Sequence, residues 1–202
     1  MRSMSAFAAL MMWRAEVRRR LVLAMLMAMT GLGPAPGQAS EDAAWDALRA
    51  GGIVLFRHAN APGGGDPAGM RLGDCATQRN LDESGRQQAR RIGEAFRSRR
   101  IAVGSVLSSQ WCRTLETAEL AFPGRAQPEP IVNSFFDDRS KGPQQTFAAR
   151  ELLAGWAGPG TLVVVTHQVN ITALTGIVPA SGEGVVVQAG GGVVTVVGRL
   201  KP

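Results

Sequence analysis

Apolar residues in this chain gather into short runs separated by polar segments, and the period within each run predicts its structure. Ile53-Val-Leu-Phe56 is apolar without alternation, the pattern of a strand buried on both faces, and Thr161-Leu-Val-Val-Val165 repeats it more strongly. Val103 to Ser108 predicts a further short strand. Between these runs the spacing becomes helical. Trp45 and Leu48 stand at i, i+3 within Glu41 to Arg49, and Gly51-Gly52 ends that stretch. Ala89, Ile92, Ala95 and Phe96 predict a helix with Asp82 as its N-cap and Arg86, Arg90, Arg91 and Arg97 on a solvated face. Leu115, Ala118, Leu120 and Ala121 mark a helix from Trp111 to Phe122, stopped by Pro123-Gly124. A third helix is expected from Gln144 to Trp156, and Ile171 to Leu174 begins another turn. Val185-Val-Val187 and Val193 to Val197 flank Gly190-Gly-Gly192 as a terminal hairpin. Strands alternating with helices predict a three-layer α/β/α sandwich around a mostly parallel central sheet.

The first 39 residues stand apart from this pattern. Arg14, Arg18, Arg19 and Arg20 precede the apolar run Leu21 to Met29, and the small-residue stretch Gly31 to Ala39 follows. This is the order of a secretory signal peptide cleaved after Ala39, which leaves 40–202 as one expected domain, periplasmic or secreted. The apolar run is about half of the ~20 residues that span a bilayer, so no stable membrane anchor is expected after cleavage. The full chain has 22 basic and 16 acidic residues, but without the leader the balance is 17 to 15. Its basic character therefore resides mostly in the leader, and nucleic acid is not an expected partner. Cys75 and Cys112 are the only cysteines. Export would put them where disulfides persist, and either a bridge between them or two separate buried thiols fits. Two cysteines and two distant histidines do not make metal-ligand spacing, so neither a metal nor a cofactor is expected.

Both histidines follow predicted strands directly, His58 after Ile53 to Phe56 and Arg57, His167 after the valine run and Thr166. In open α/β sheets ligands collect at the carboxyl ends of strands. Arg57 adjoins His58, and Arg113 lies one turn into the helix that follows Ser108-Ser109. Two guanidiniums and two imidazoles suit a tetrahedral oxyanion, because an arginine fork matches phosphate oxygens and an imidazole can donate from one nitrogen while the other attacks. A phosphomonoester carries nearly two negative charges, which favours phosphoryl transfer over acyl or hydride chemistry. No Gly-x-Ser-x-Gly elbow, Walker-type loop or His-Glu-x-x-His motif is present. The spacing does not say which imidazole attacks.

Leu55-Phe56-Arg57-His58, Asn80-Leu-Asp-Glu-Ser-Gly-Arg-Gln-Gln-Ala89, Ser108-Ser-Gln-Trp-Cys-Arg113-Thr-Leu-Glu-Thr117-Ala and Val164-Val-Thr-His167 occur in that order, and together they resemble the motifs of the histidine phosphatase superfamily. The resemblance implies a phosphoglycerate mutase-like fold and a phosphomonoester hydrolase working on a small phosphorylated substrate. It implies His58 as the nucleophile that takes up the phosphoryl group, with Arg57, Arg113 and His167 holding its oxygens. It also implies a general acid between Arg113 and His167, for which Asp138 in Asn133-Ser-Phe-Phe-Asp-Asp-Arg139 is chosen over Asp137 and the glutamates. Asn60 either donates to a phosphate oxygen or ends the turn. Ala59 stands where the family usually has glycine, and a positive φ there would strain the pocket. A Cys75 to Cys112 bridge would pin the Arg113 helix to the loop after the first strand. The Gly63 to Arg71 loop and Phe135-Phe136 are expected to select the substrate. The alternatives are a phosphomutase and a non-catalytic protein that binds phosphorylated envelope sugars.

Overall fold

A computed structural model describes residues 36–202, with side chains from Glu41 onward; the expected leader lies almost wholly outside the described residues. Helix α1 (Pro36–Arg49) leads into β1 (Ile53–Arg57). Helix α2 (Glu83–Ser98) opens as expected, with the Asp82 carboxylate accepting the Gly85 N–H at 2.7 Å. Strand β2 (Val103–Ser108), helix α3 (Cys112–Ala121) and the short strand β3 (Ala126–Pro128) follow. Then come α4 (Gly142–Ala154), β4 (Thr161–Thr166), α5 (Gln168–Thr175) and the hairpin of β5 (Gly184–Gly190) and β6 (Val193–Leu200).

The six strands lie in the order β3-β2-β4-β1-β5-β6. Strands β1 to β4 are mutually parallel, and the terminal hairpin adds two antiparallel strands beside β1. Because side chains alternate across a strand, each apolar run supplies both faces of the sheet. Val54, Phe56, Val163 and Val165 pack with α1, α2 and α3 on one face, while Ile53, Leu55, Leu162 and Val164 pack with α4 and α5 on the other. That is the expected α/β/α sandwich, and it explains why the runs do not alternate. Residues 39–202 make one compact unit.

Two features depart from the sequence pattern. Strand β3 has only three residues and ends in Pro128, so it carries no periodic signal, yet it is tolerated as an edge strand. Helix α2 ends with Arg100 in the left-handed region at φ 54°, where glycine is usual, and Ile101 N–H reaches back to the Phe96 carbonyl at 3.0 Å. Arg86, Arg90 and Arg97 of α2 form exposed ion pairs with Glu83 and Glu94, and Arg86 a half-buried one with Glu116, much as a solvated face should.

Helices α2 and α3 approach closely at Gly93, where a Cβ would stand 2.2 Å from the Ala121 carbonyl oxygen. Gly93→Ala is expected to destabilise by about 1–2 kcal/mol despite its better helix propensity, because backbone must move to admit the methyl. Thermal unfolding should then show Tm lowered by roughly 2–4 °C per kcal/mol. An unchanged Tm would show that the two helices separate freely.

Candidate active site

The register of the parallel strands sets the site. Arg57 lies opposite Thr166 and Ser108 opposite Val165, so the next residues of β1, β4 and β2, namely His58, His167 and Ser109, emerge side by side at one edge of the sheet. The His58 N–H donates to the Thr166 carbonyl at 2.9 Å and the Ser109 N–H to Val165 at 3.0 Å, carrying the ladder one step beyond the strands. The two imidazole centroids are 5.6 Å apart. His58 Nδ1 lies 2.7 Å from the Ala59 carbonyl oxygen, and since a carbonyl only accepts, Nδ1 holds the proton and Nε2 the lone pair. His167 Nε2 lies 2.8 Å from Ser109 Oγ, while its Nδ1 faces Arg113 Nη2 at 3.4 Å. A guanidinium only donates, so Nδ1 of His167 carries a lone pair and Nε2–H donates to the serine.

A cavity of about 440 Å³ opens over these rings. Arg57, Arg113 and also Arg79 line it beside the histidines. Arg57 is held from behind by Nη1 donating to the Pro179 carbonyl at 3.0 Å. Arg79 comes from the long loop between β1 and α2, with Nε donating to Gly65 O at 2.9 Å and Nη1 to Ala61 O. The Nε atoms of Arg57 and Arg113 are buried without a partner. Gly63 to Gly65 of the loop after β1, and Phe135, Phe136 and Arg139 of the segment before α4, also line the cavity. Arg139 stacks over the Phe136 ring at 4.9 Å.

Burial, first of all, pushes the His58 pKa down to about 3; the Ala59 bond opposes this, and the charges of Arg113, Arg79 and Arg57 add to it. His167 is likewise held well below its usual value, by burial and then by Arg113 and its neighbours. Both rings are therefore neutral at physiological pH, which keeps the His58 Nε2 lone pair available.

Among the described residues one carboxylate lines the cavity. Asp66 takes Arg113 end-on, Nη1 to Oδ1 at 2.7 Å and Nη2 to Oδ2 at 3.0 Å, and the Arg113 and Asp66 side chains are only 4% and 5% exposed. It also accepts from the Arg79 N–H at 3.2 Å and from Trp111 Nε1 at 2.9 Å. Its pKa is lowered: desolvation opposes ionisation, but the Arg113 hydrogen bond and charge, the Arg79 N–H and Trp111 outweigh it. Neither Asp66 nor Arg79 is singled out by the sequence. They lie in a segment without hydrophobic period, and only the fold brings them to Arg113.

The other expected residues fall as follows. The structure brings Arg57, His58, Arg113 and His167 together. It bridges Cys75 and Cys112, 37 residues apart, and the Cys112 N–H also donates to Gln78 Oε1 at 2.9 Å, so the loop after β1 is fastened to the start of α3. Asn60 does not reach the cavity, because its amide donates to Asp82 at 3.0 Å and Ser84 at 3.3 Å. Asp138 is not on the cavity wall either. Half-exposed, it caps the turn Arg139–Lys141 through Ser140 and pairs with Lys141 at 3.1 Å. Glu116, one turn after Arg113 in α3, accepts from Arg86 at 2.8 Å. Ala59 causes no strain, since Arg100 is the only non-glycine among the described residues with positive φ. Its methyl packs against Ala61, Leu81 and Ala89. Its N–H donates to Thr117 Oγ1 at 3.1 Å, which gives the threonine of the Arg113 segment a structural task.

The model of the histidine phosphatase superfamily (branch 1) matches residues 53–152, and with these residues the chain belongs to that superfamily. Solved structures share the fold at low identity. An open reading frame product of Mycobacterium tuberculosis is 15% identical with a TM-score of 0.53, over 72% of this chain and 95% of its own. A phosphoglycerate mutase from Thermus thermophilus is 18% identical with a TM-score of 0.51, over 73% and 97%. A phosphoserine phosphatase from Entamoeba histolytica, solved with phosphoserine, is 14% identical with a TM-score of 0.50, over 73% and 95%. No curated protein matches the chain significantly.

The chain has only two histidines, so its imidazoles can be followed individually by NMR. Neither should titrate between pH 8 and 5. In the unfolded chain both protonate near 6.5, so the unfolded state binds more protons below that pH, and folding stability should fall with acidification at up to about 1.4 kcal/mol per pH unit for each ring. A titration near pH 6.5 in the folded protein would contradict the burial argument.

Proposed function

We propose that the protein is a phosphomonoester hydrolase that works through a phosphohistidine on His58. The observation that carries this reading is the Nδ1–H of His58 bonded to Ala59 O, which leaves Nε2 unprotonated beside Arg57, Arg79 and Arg113. The His58 Nε2 lone pair attacks phosphorus, the bond to the ester oxygen breaks, and the positive charge formed on the ring is stabilised through Nδ1–H by the Ala59 carbonyl. Water then attacks phosphorus, the N–P bond breaks with its electron pair returning to Nε2, and hydrogen phosphate leaves with one proton of the water while the other passes through solvent to the expelled ester oxygen. Arg57, Arg79 and Arg113 hold the non-bridging oxygens through both steps; one such donor is worth roughly 10²–10³ in rate. His167 is depressed first by burial and then by the guanidiniums; an arriving dianion favours the protonated ring, which then donates to a phosphoryl oxygen. Among the described residues Asp66 is the one carboxylate lining the cavity, and it is ionised at rest. Activated aryl phosphates, whose leaving oxygens need no proton, are therefore the substrates expected to turn over fastest.

Phosphate release from a panel of small phosphomonoesters tests this. Wild type should release phosphate and form an acid-labile, base-stable phosphoenzyme, His58→Ala should do neither, and Asp138→Asn should stay within about threefold of wild type on aryl and alkyl esters alike. No release by wild type, or equal release by His58→Ala, would leave the phosphate-binding protein as the reading. A preferential loss on alkyl esters in Asp138→Asn would restore that residue as the acid.

We further propose that residues 1–39 direct export and that the mature domain works in the periplasm or outside the cell. The Cys75 to Cys112 bridge supports this, because such bonds persist in oxidising compartments. Intact mass of the natively expressed protein should begin at Ser40 and rise by two protons on reduction. A full-length cytosolic protein would refute it.

A further inference from the structure

We propose that Asp66 is a positioning residue that grips Arg113 by one edge and so presents the other edge to the phosphoryl oxygens. The inference rests on the phosphoryl-transfer reading of the site and assigns a task to a side chain that the reaction itself does not consume.

A guanidinium has two forks, one end-on between Nη1 and Nη2 and one side-on between Nε and Nη2. Asp66 fills the end-on fork with both oxygens, at 2.7 and 3.0 Å. The side-on fork is left with Nη2 against His167 Nδ1 at a long 3.4 Å and with Nε buried and unpartnered. Arg57, on the same cavity wall, has a buried, unpartnered Nε as well. Two buried donors that lack acceptors beside one neutral imidazole pair are the arrangement of a site completed by an anion. The carboxylate, by contrast, is saturated: Oδ1 accepts from Arg113 and the Arg79 N–H, Oδ2 from Arg113 and Trp111. A saturated carboxylate in an ion pair is an anchor and a poor proton donor.

Charge points the same way. Arg57, Arg79 and Arg113 all act on His58, and Asp66 cancels one of the three, which leaves two positive charges facing the seat of a phosphomonoester of about −1.5 to −2. The anchor is in turn aimed by the backbone before it. Gly63 and Gly65 both have positive φ, at 96° and 75°, a conformation that favours glycine, and Arg79 Nε holds the Gly65 carbonyl. The loop, Asp66, Arg79 and Trp111 therefore form one support behind Arg113.

The test is a double-mutant cycle on the full mature protein, using Asp66→Asn, Arg113→Ala and both together, assayed on one aryl and one alkyl phosphomonoester, with Tm measured for each. Asp66→Asn is expected to lower kcat roughly 10–100-fold, short of the ~10²–10³ that losing a whole donor costs. The loss should be equal for the two esters, with KM changed less than about threefold, and should vanish in the Arg113→Ala background. A loss concentrated on the alkyl ester, or losses that multiply in the double variant, overturns the proposal, since Asp66 would then act on the leaving group or independently of Arg113. If Asp66→Asn does not fold, Trp111→Phe removes one donor from Oδ2 and should give a smaller loss with the same dependence on Arg113. If wild type cleaves neither ester, the phosphatase reading fails by itself, and the cycle is read from orthophosphate binding by calorimetry. There Asp66→Asn should weaken orthophosphate binding by up to about threefold and only when Arg113 is present, and either no loss or a loss that persists without Arg113 rejects the assignment.

Discussion

Three guanidiniums crowded around one buried imidazole repel each other, and the fold has to contain that repulsion whether or not a phosphate is present. It does so with acceptors of fixed position. Pro179 O takes Arg57, Gly65 O and Ala61 O take Arg79, and Asp66 takes Arg113. Removing the one carboxylate from such a set would leave a charge buried without its counterpart, which is among the costlier changes a protein interior can suffer. The same crowding explains the neutral histidines. A protonated ring at either position would add another cation to a low-dielectric space that already holds an excess of them.

Much of this is legible in the sequence because it depends on strand ends. Ile53 to Phe56 and Thr161 to Val165 read as buried strands, and a residue placed directly after such a strand has little freedom about where to emerge. His58, His167 and Arg57 are found on that ground. Arg113 is found from the helix that follows Ser108-Ser109. The wall of the cavity is not legible. Asp66 and Arg79 belong to a stretch from Ala61 to Leu81 whose only regular structure is the turn Cys75–Thr77, so no period betrays which side chains face inward. Their partners lie 47 and 18 residues away, and tertiary contacts of that kind leave no local trace. Asn60 and Asp138 illustrate the reverse: both are polar residues beside the motifs, and both satisfy their hydrogen bonds locally at helix or turn starts.

The three solved structures compared above share 14–18% of their residues with the chain, and the likeness is one of fold; in this chain the sheet order and the register at the carboxyl ends set Arg57, His58 and His167 at one edge of the sheet. The sheet is thus the part that positions the proposed centre. The loop after β1, stapled to α3 by the Cys75 to Cys112 bridge, and the Phe135 to Arg139 segment opposite it are attached to that frame by side chains and a disulfide, so they can differ in shape without disturbing the strand ends.

The antiparallel placement of β5 beside β1 has one more effect. It brings the start of β5 to the carboxyl end of β1, where Pro179 supplies only its carbonyl to Arg57, and Gly182 N–H and Glu183 O close onto the backbone of Arg57 and His58. That side of the centre is made of peptide groups, which nearly every amino acid provides alike. Exchange of the exposed Ala180 or the half-buried Ser181 side chain should therefore be silent for the proposed reaction as long as the turn keeps its path, so these two positions, next to the buried Pro179, offer an attachment point for labels or surface tags close to the histidines.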